Sequence, residues 1–367
     1  MTQTVSLGDI CIKVTSGGTP STKHPEYYNG DIPWLRTQEV NFGYIHSTEK
    51  TITDSGLKNS SAKLIPENSV IIAMYGVTAG KSAINKIPLT TNQACCNLII
   101  DHKKADYRYV YYHLLNNYEK LKNAATGAAQ QNLGAKQIAA MQIVLPLLVE
   151  QTKIADFLST IDEKIELNRN MNDKLEQMGQ ALFRHHFITS PGAMGWSKIA
   201  IGKKIHPKRG RSLQSRDMKE GPVPVVSGGL QPAGYHNEAN TKEPVITVSA
   251  SGANAGFVAL WEQPVWSADS CFIDSTITDD VYFYYLFMKS QQDVIYGMQT
   301  GSGQPHIYPK HIELLEIPDV PDKVMSDFRN TVEPLFKKIH QNKVAIKTLT
   351  GLRDTLLPRL ISGKIKV

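Results

Sequence analysis

Apolar residues recur at intervals of three and four over two long stretches of the chain, and this periodicity is its strongest structural signal. In the first stretch Ile154, Leu158, Ile161, Ile165, Met171, Leu175, Met178 and Leu182 make a seam. Its period is about 3.5 residues, the spacing of a coiled coil. In the second, Val324, Phe328, Val332, Leu335, Ile339, Ile346, Leu349, Leu352, Leu356 and Leu360 do the same. Asn168, with Asn170 and Asn172 beside it, interrupts the first seam, and Asn342 the second. Buried amides weaken such a helix pair but fix its register and orientation. Pro334 removes a backbone donor, so it is expected to kink the second helix or mark its true start, and Pro358 to end or bend it. A helix from Gln151 to Phe187 would be on the order of 55 Å long, more than a globular core needs, which suggests a spacer.

Outside the helices the pattern is mixed. SVIIAM, CNLII, PVITVSA and CFID read as short strands, and Tyr107 to Leu121 and Tyr282 to Gln292 as helices, so the globular parts are α+β. These parts repeat. Val70 to Ile84 aligns with Ile246 to Leu260, placing Gly76 on Gly252, Gly80 on Gly256 and, further on, Cys95 on Cys271, all at an offset of 176. Thr126 to Ile138 aligns with Thr300 to Ile312 at an offset of 174. The order is therefore globular, helix, globular, helix, with segments 1–150, 151–187, 188–320 and 321–367. Two such helices are expected to pack antiparallel with a globular domain at each end of the rod, an internal pseudo-twofold arrangement.

A length of 367 residues, 41% hydrophobic and 20% charged, supports real cores in two or more domains. The formal charge of +6 permits a nucleic-acid partner without demanding one. Residues 335–367 carry eight Lys/Arg against the single acid Asp354, so the last helix holds the imbalance. No apolar run reaches the roughly 18 residues of a membrane helix. The opening MTQTVSLGDI lacks the features of a signal peptide, so a cytoplasmic location and no membrane partner are expected. Cys11, Cys95, Cys96 and Cys271 show no metal spacing and read as plain thiols of a reducing compartment.

GVTAGKS (Gly76 to Ser82) resembles a phosphate loop but has three residues between its glycines where that motif needs four. Pro88 cuts short any following helix, and the repeat partner SGANAGF lacks the Lys-Ser pair. A tight turn that exposes backbone is the better reading. His185 and His186 are adjacent and point to different helix faces, poor geometry for one metal. No nucleophile elbow, H-E-x-x-H or Asn/Asp-Pro-Pro-aromatic string appears, so no catalytic constellation and no metal site are assigned. What remains is a set of glycine-, amide- and hydroxyl-rich loops mixed with cations and aromatics, a composition suited to reading DNA. The candidates in the first half are Gly18, Thr19 and Ser21 of the GGTPS loop, Arg36, Thr37, Gln38, Tyr75, Lys81, Gln130, Gln131 and Asn132. The second half offers Lys208, Arg209, Arg211, Ser227, Ser251, Asn254, Gln304 and His306. Residues 203–216 hold six Lys/Arg and no acid, a run suited to phosphate contacts.

The central EQTKIADFLSTIDEKIELNRNMNDKLEQMGQALF and the terminal LRDTLLPRLISGKIKV, with GDIPWLRTQEVN and TGAAQQNLGAKQI, are similar to the specificity subunits of Type I restriction-modification systems. The resemblance covers nearly the whole length. It implies two target recognition domains, each reading one half of a split double-stranded DNA target, and an antiparallel coiled coil that measures the unread gap. It implies a subunit that is not itself an enzyme and binds no cofactor. Two methyltransferase subunits would supply S-adenosylmethionine chemistry at adenine N6, and restriction subunits would use ATP and magnesium. Exposed helix positions Glu163, Glu166 and Arg169 are the candidate partner contacts. IGKKIHPKRGRSLQSRD does not repeat the GGTPS loop in sequence, so no correspondence is carried across that region. Two other classes remain: a coiled-coil scaffold without DNA readout, and a nucleotide hydrolase built on Gly76 to Ser82.

Overall fold

The computed structural model describes residues 2–126, 133–301 and 303–367. Four helices organise the chain: α1 (Tyr107–Asn116), α2 (Leu148–Arg184), α3 (Val281–Ser290) and α4 (Asp322–Ile361). The chain forms two compact units, Met1–Glu166 with Lys347–Val367, and Leu167–Ile346. Each unit thus takes in one globular block, part of α2 and part of α4.

In the first unit a five-stranded sheet runs in the order Cys11–Ser16, Cys95–Ile100, Val70–Ala73, Ser82–Asn85, Tyr44–Ile45. The Val70–Ala73 strand is buried throughout, which is why VIIA reads as a continuous apolar run rather than an alternation. A three-stranded sheet centred on Tyr28–Leu35 and a ribbon of Gln3–Ser6 with Gln142–Leu145 complete the strands. Helix α1 is capped by Asp106, whose side chain accepts from Arg108 N, and it buries Tyr109, Val110, Tyr111, Tyr112 and Leu114.

The second unit repeats this layout. Its four-stranded sheet runs Lys208–Arg209, Ser270–Asp274, Val245–Ser249, Val258–Trp261, with a three-stranded sheet centred on Val223–Val226 and a ribbon of Lys198–Ala200 with Glu316–Pro318. In both units the central strand of the three-stranded sheet pairs in parallel with a two-residue strand, Thr90–Thr91 or Trp266–Ser267. Helix α1 is C-capped by Asn117 and α3 by Gln291, so each expected helix is broken into two at matching positions.

Helix α2 starts at Leu148, two residues after Pro146, and ends in a π-turn at His185–Thr189. Helix α4 starts twelve residues before Pro334 and continues three residues past Pro358, so neither proline marks the boundary expected of it. Both prolines are exposed. The carbonyls they leave unbonded can therefore turn to water, while Phe328, Val332 and Phe336 hold the opposite face in the core.

The helices pack antiparallel. In the second unit Asn342 lies on Asn172, Phe336 beside Gly179 and Phe328 beside Phe183, with one number falling as the other rises. The buried face is wider than a two-helix seam, because each pair also shares the core of its block. Ile154, Ala155 and Leu158 join Leu357, Leu360 and α1 in the first unit, and Phe183 and Phe187 join Phe328, Phe336 and α3 in the second. For this reason Phe336 and Leu357 are buried more deeply than the expected Leu335 and Leu356, while Met178 and Leu352 of the expected seam are about half exposed.

Candidate nucleic-acid interface

The hairpin between Val70–Ala73 and Ser82–Asn85 turns through Gly76 and Gly80, at φ +86° and +81°. Backbone bonds from Ala79 N to Gly76 O (3.1 Å) and from Gly80 N to Ala73 O (2.9 Å) close it. A strand follows, where a phosphate loop would lead into a helix, so the nucleotide-hydrolase alternative lacks its framework. The turn projects Tyr75 and Val77, the latter 94% exposed, and three other loops are tied to its base. Thr78 Oγ1 donates to Thr37 O at 2.7 Å, and Thr37 Oγ1 donates to Asn92 Oδ1 at 2.9 Å. Gly18 N donates to Thr91 O at 2.9 Å, and Trp34 Nε1 to Gly18 O at 3.0 Å. Loops 17–21, 36–41, 75–81 and 91–95 therefore form one rim.

This rim sorts the residues expected to read DNA. Thr19, Ser21, Gln38 and Tyr75 are exposed on it. Thr37 and Gly18 are buried: Thr37 spends both its oxygens inside the rim, and a Cβ on Gly18 would stand 2.3 Å from Ala62 N. They hold the rim together. Arg36 faces the carboxylates of Glu39 and Glu49, so its charge is already met. Lys81 Nζ donates to Asn41 Oδ1 at 2.6 Å and lies over the Phe42 ring. Gln130, Gln131 and Asn132 lie outside the described residues; the next residue, Leu133, donates its N–H to Met74 O at 3.3 Å, beside Tyr75. Gln93, which accepts from Thr19 Oγ1, is an exposed rim amide absent from the sequence-derived set.

The second unit builds the same rim with different letters. Gly252 and Gly256 have φ +81° and +92°, and Ala255 N donates to Gly252 O and Gly256 N to Ser249 O at 3.0 and 2.8 Å. Gly210 N and Arg211 N donate to Ser270 O and Ser267 O at 2.8 and 2.9 Å, as Gly17 N and Gly18 N do to Cys95 O and Thr91 O. Trp266 Nε1 donates to Arg211 O at 2.8 Å, as Trp34 does to Gly18 O. KRGR is thus the structural counterpart of the GGT loop. The tryptophans come from different strands, which hides the match in the sequence.

Around this loop Lys208, Arg209 and Arg211 are exposed. The Arg209 guanidinium sits 5.7 Å from the centre of the Tyr308 ring, and His306 stacks on that ring at 5.9 Å. Tyr308 is a rim aromatic that the sequence reading passed over. His306 pairs with Thr300 through its backbone, and Gly252 N donates to Pro305 O at 3.1 Å, bringing exposed Gln304 to the turn that carries Asn254. Ser251 Oγ donates to Asp269, and Ser227 leads into Gly228, where a Cβ would stand 2.6 Å from Ser251 O. The rim mixes cations, amides, hydroxyls and a stacked aromatic platform, which together can hold phosphates and read base edges.

Elsewhere the chemistry is quiet. Burial pushes the thiols of Cys11, Cys95, Cys96 and Cys271 up to about 12, so they stay protonated. Among the described residues no group of three His, Cys, Asp or Glu is placed to hold a metal ion, and no helix is long and apolar enough to cross a membrane. On the helices Glu163 and Arg169 are exposed, whereas Glu166 Oε1 is 2.8 Å from His46 Nε2 and so ties α2 to its block.

A rim of loops built twice, each copy beside part of a long antiparallel helix pair, agrees with the match to the family described as Type I restriction modification DNA specificity domain, over residues 2–177 and 195–343. The chain belongs to that family. With two matched stretches, it is a DNA-specificity subunit of the Type I restriction-modification kind. It is 27% identical to the Type I restriction enzyme MjaIX specificity subunit of Methanocaldococcus jannaschii, over 97% of this chain and 91% of that one. A second relative, the EcoR124I/EcoR124II specificity subunit of Escherichia coli, is 32% identical over 43% of this chain and 40% of its own. The crystal structure of a Type I restriction-modification S subunit from M. genitalium has the same fold, with a TM-score of 0.69 at 20% identity, covering 98% of this chain and 96% of that one.

Proposed function

We propose that each unit's rim reads one half of a bipartite double-stranded DNA target, with the long helices setting the unread gap. The observation that carries this reading is the repetition of one hydrogen-bonded rim in both units with different exposed side chains, Thr19, Gln38 and Tyr75 on one and Arg209, Arg211, Gln304 and Tyr308 on the other. Equal frames with unequal side chains suit two readers of two different words. The subunit works in the cytoplasm and carries no catalytic group of its own. Two identical methyltransferase subunits, bringing S-adenosylmethionine, dock on the repeated helix surfaces, as a pseudo-twofold chain allows. They methylate adenine N6 after the base leaves the stack. Restriction subunits bring ATP and magnesium.

The decisive experiment maps N6-methyladenine across the genome with and without the gene. Loss of one bipartite motif is expected; an unchanged map in cells that express the subunit with a copurifying methyltransferase would overturn the reading. Partner docking has its own test. Charge reversal at Glu163 and Arg169 together is expected to weaken methyltransferase assembly at least tenfold, and unimpaired assembly would remove that surface. Glu166 is reversed separately, because losing its contact to His46 disturbs the block as well.

A further inference from the structure

The helix seam differs between the repeats although they align residue for residue. At an offset of 174, Ile154 matches Phe328, Leu158 matches Val332, Ile165 matches Ile339 and Asn168 matches Asn342, and all eight are buried. In this register the first unit holds a polar cluster. Arg353 Nη1 on α4 donates to Asp162 Oδ1 on α2 at 2.8 Å, and Tyr112 OH on α1 donates to Asp162 Oδ2 at 2.8 Å. Asp162 is only 8% exposed. The mates of Asp162, Arg353 and Tyr112 are Phe336, Gly179 and Leu286, and they meet at the corresponding place in the second unit. A Cβ on Gly179 would lie 3.4 Å from Leu286 Cδ2 and 3.5 Å from Phe336 Cζ. One position is an ion pair in one unit and hydrocarbon in the other.

We infer that the Asp162–Arg353 pair is a partner lock, which makes the helix surface of each repeat fit the other repeat and reject a second copy of itself. A chain with two similar helices can pair them within itself, or like with like between two chains. In antiparallel pairing of α2 with another α2, Asp162 would face Gly179. In pairing of α4 with another α4, Arg353 would face Phe336. Asp162 would then be buried without its counter-charge, which costs far more than the intact pair contributes, and Arg353 would keep only Asp354, the exposed carboxylate beside it on α4, at 2.8 Å. The asparagines do not discriminate. Asn342 donates to Asn172 at 2.9 Å, and its mate Asn168 would bring the same amide to Asn172 of a second α2. The amides set register, and the ion pair sets the partner. This stands apart from the DNA reading, but under that reading it keeps two different readers joined.

The test refolds the full-length chain from denaturant over a range of concentrations, following mass by light scattering and helix content by circular dichroism. The unaltered chain is expected to return at single-chain mass throughout. Tyr112→Leu/Asp162→Phe/Arg353→Ala rewrites the first cluster as the second, so it is expected to keep its helix content while yielding at least tenfold more of a two-chain species. If that variant refolds as single chains to the same extent as the unaltered protein, or if the unaltered protein pairs as readily, the lock does not exist. A second pair of variants decides the matter should the triple variant fail to fold. Arg353→Asp is expected to lose single-chain material, and Asp162→Arg/Arg353→Asp to recover it, since the exchange restores opposite charges between unlike helices only. A double variant that refolds no better than the single one also overturns the proposal.

Discussion

Gly76 and Gly80 share one turn and one backbone conformation, yet they answer to different constraints. Space around Gly76 is open, so Gly76→Ala pays only the left-handed strain, about 1 kcal/mol. At Gly80 a Cβ would stand 2.7 Å from Lys122 N, so Gly80→Ala must also displace the helix Tyr118–Thr126, for a loss of about 3 kcal/mol in denaturant unfolding. The aligned glycines announced the turn in the sequence; which of them is pressed on a neighbour was not readable there. Nor was the direction of Thr37 and Gly18, since a short loop motif does not say which residues face inward. His113 offers a second residue-scale test. Burial lowers its imidazole from 6.5 to about 4. Above pH 6.5 it is neutral in both states. As pH falls the unfolded chain takes up the proton first, so stability should drop between pH 6.5 and about 4, by on the order of 3 kcal/mol, and then level off. His113→Gln should lose that part of the pH dependence when unfolding is measured across the same range.

At the scale of elements, the heptad pattern located both long helices, the second of which runs on through the prolines expected to bound or bend it. Breaking power depends on what the freed carbonyl meets, and an exposed face supplies water. Pro334→Ala is therefore expected to stabilise the chain by about 1 to 3 kcal/mol in denaturant unfolding, by restoring a bond that the helix already has room to make. An unchanged or lowered midpoint would mean that the helix is shaped around the proline. The seam was legible as a period and not as a face, because a block packs against each helix pair and widens the apolar stripe. The same elements carry the spacing argument. One heptad added to both α2 and α4, after Arg169 and after Lys343, retains the periodicity of each seam. It should lengthen the gap in the methylated motif while leaving each half-site unchanged; an altered half-site would mean that the helices shape the readers themselves.

For the whole molecule, the doubled order of blocks and helices was open to the sequence, because the turn glycines and helix seams repeat at nearly constant offsets. The equivalence of GGT and KRGR was not, since backbone bonds and a tryptophan borrowed from another strand preserve that loop without preserving its letters. This hidden match makes the two rims electrostatically unequal. Of the cations singled out in the first unit, Arg36 is met by two carboxylates and Lys81 by an amide and a ring. In the second, Lys208, Arg209 and Arg211 are all exposed around one loop, with Arg211 standing where the first unit buries Gly18. The second rim should then supply most of the counter-ion release on DNA binding. Each phosphate contact contributes about 0.9 to the slope of log affinity against log salt. Replacing Lys208, Arg209 and Arg211 with alanine in the assembled complex should lower that slope by nearly 3, whereas replacing Arg36 and Lys81 should lower it by about 1 or less. Equal losses from the two sets would place the DNA backbone along both rims alike, and the charge of the KRGR loop would need another explanation.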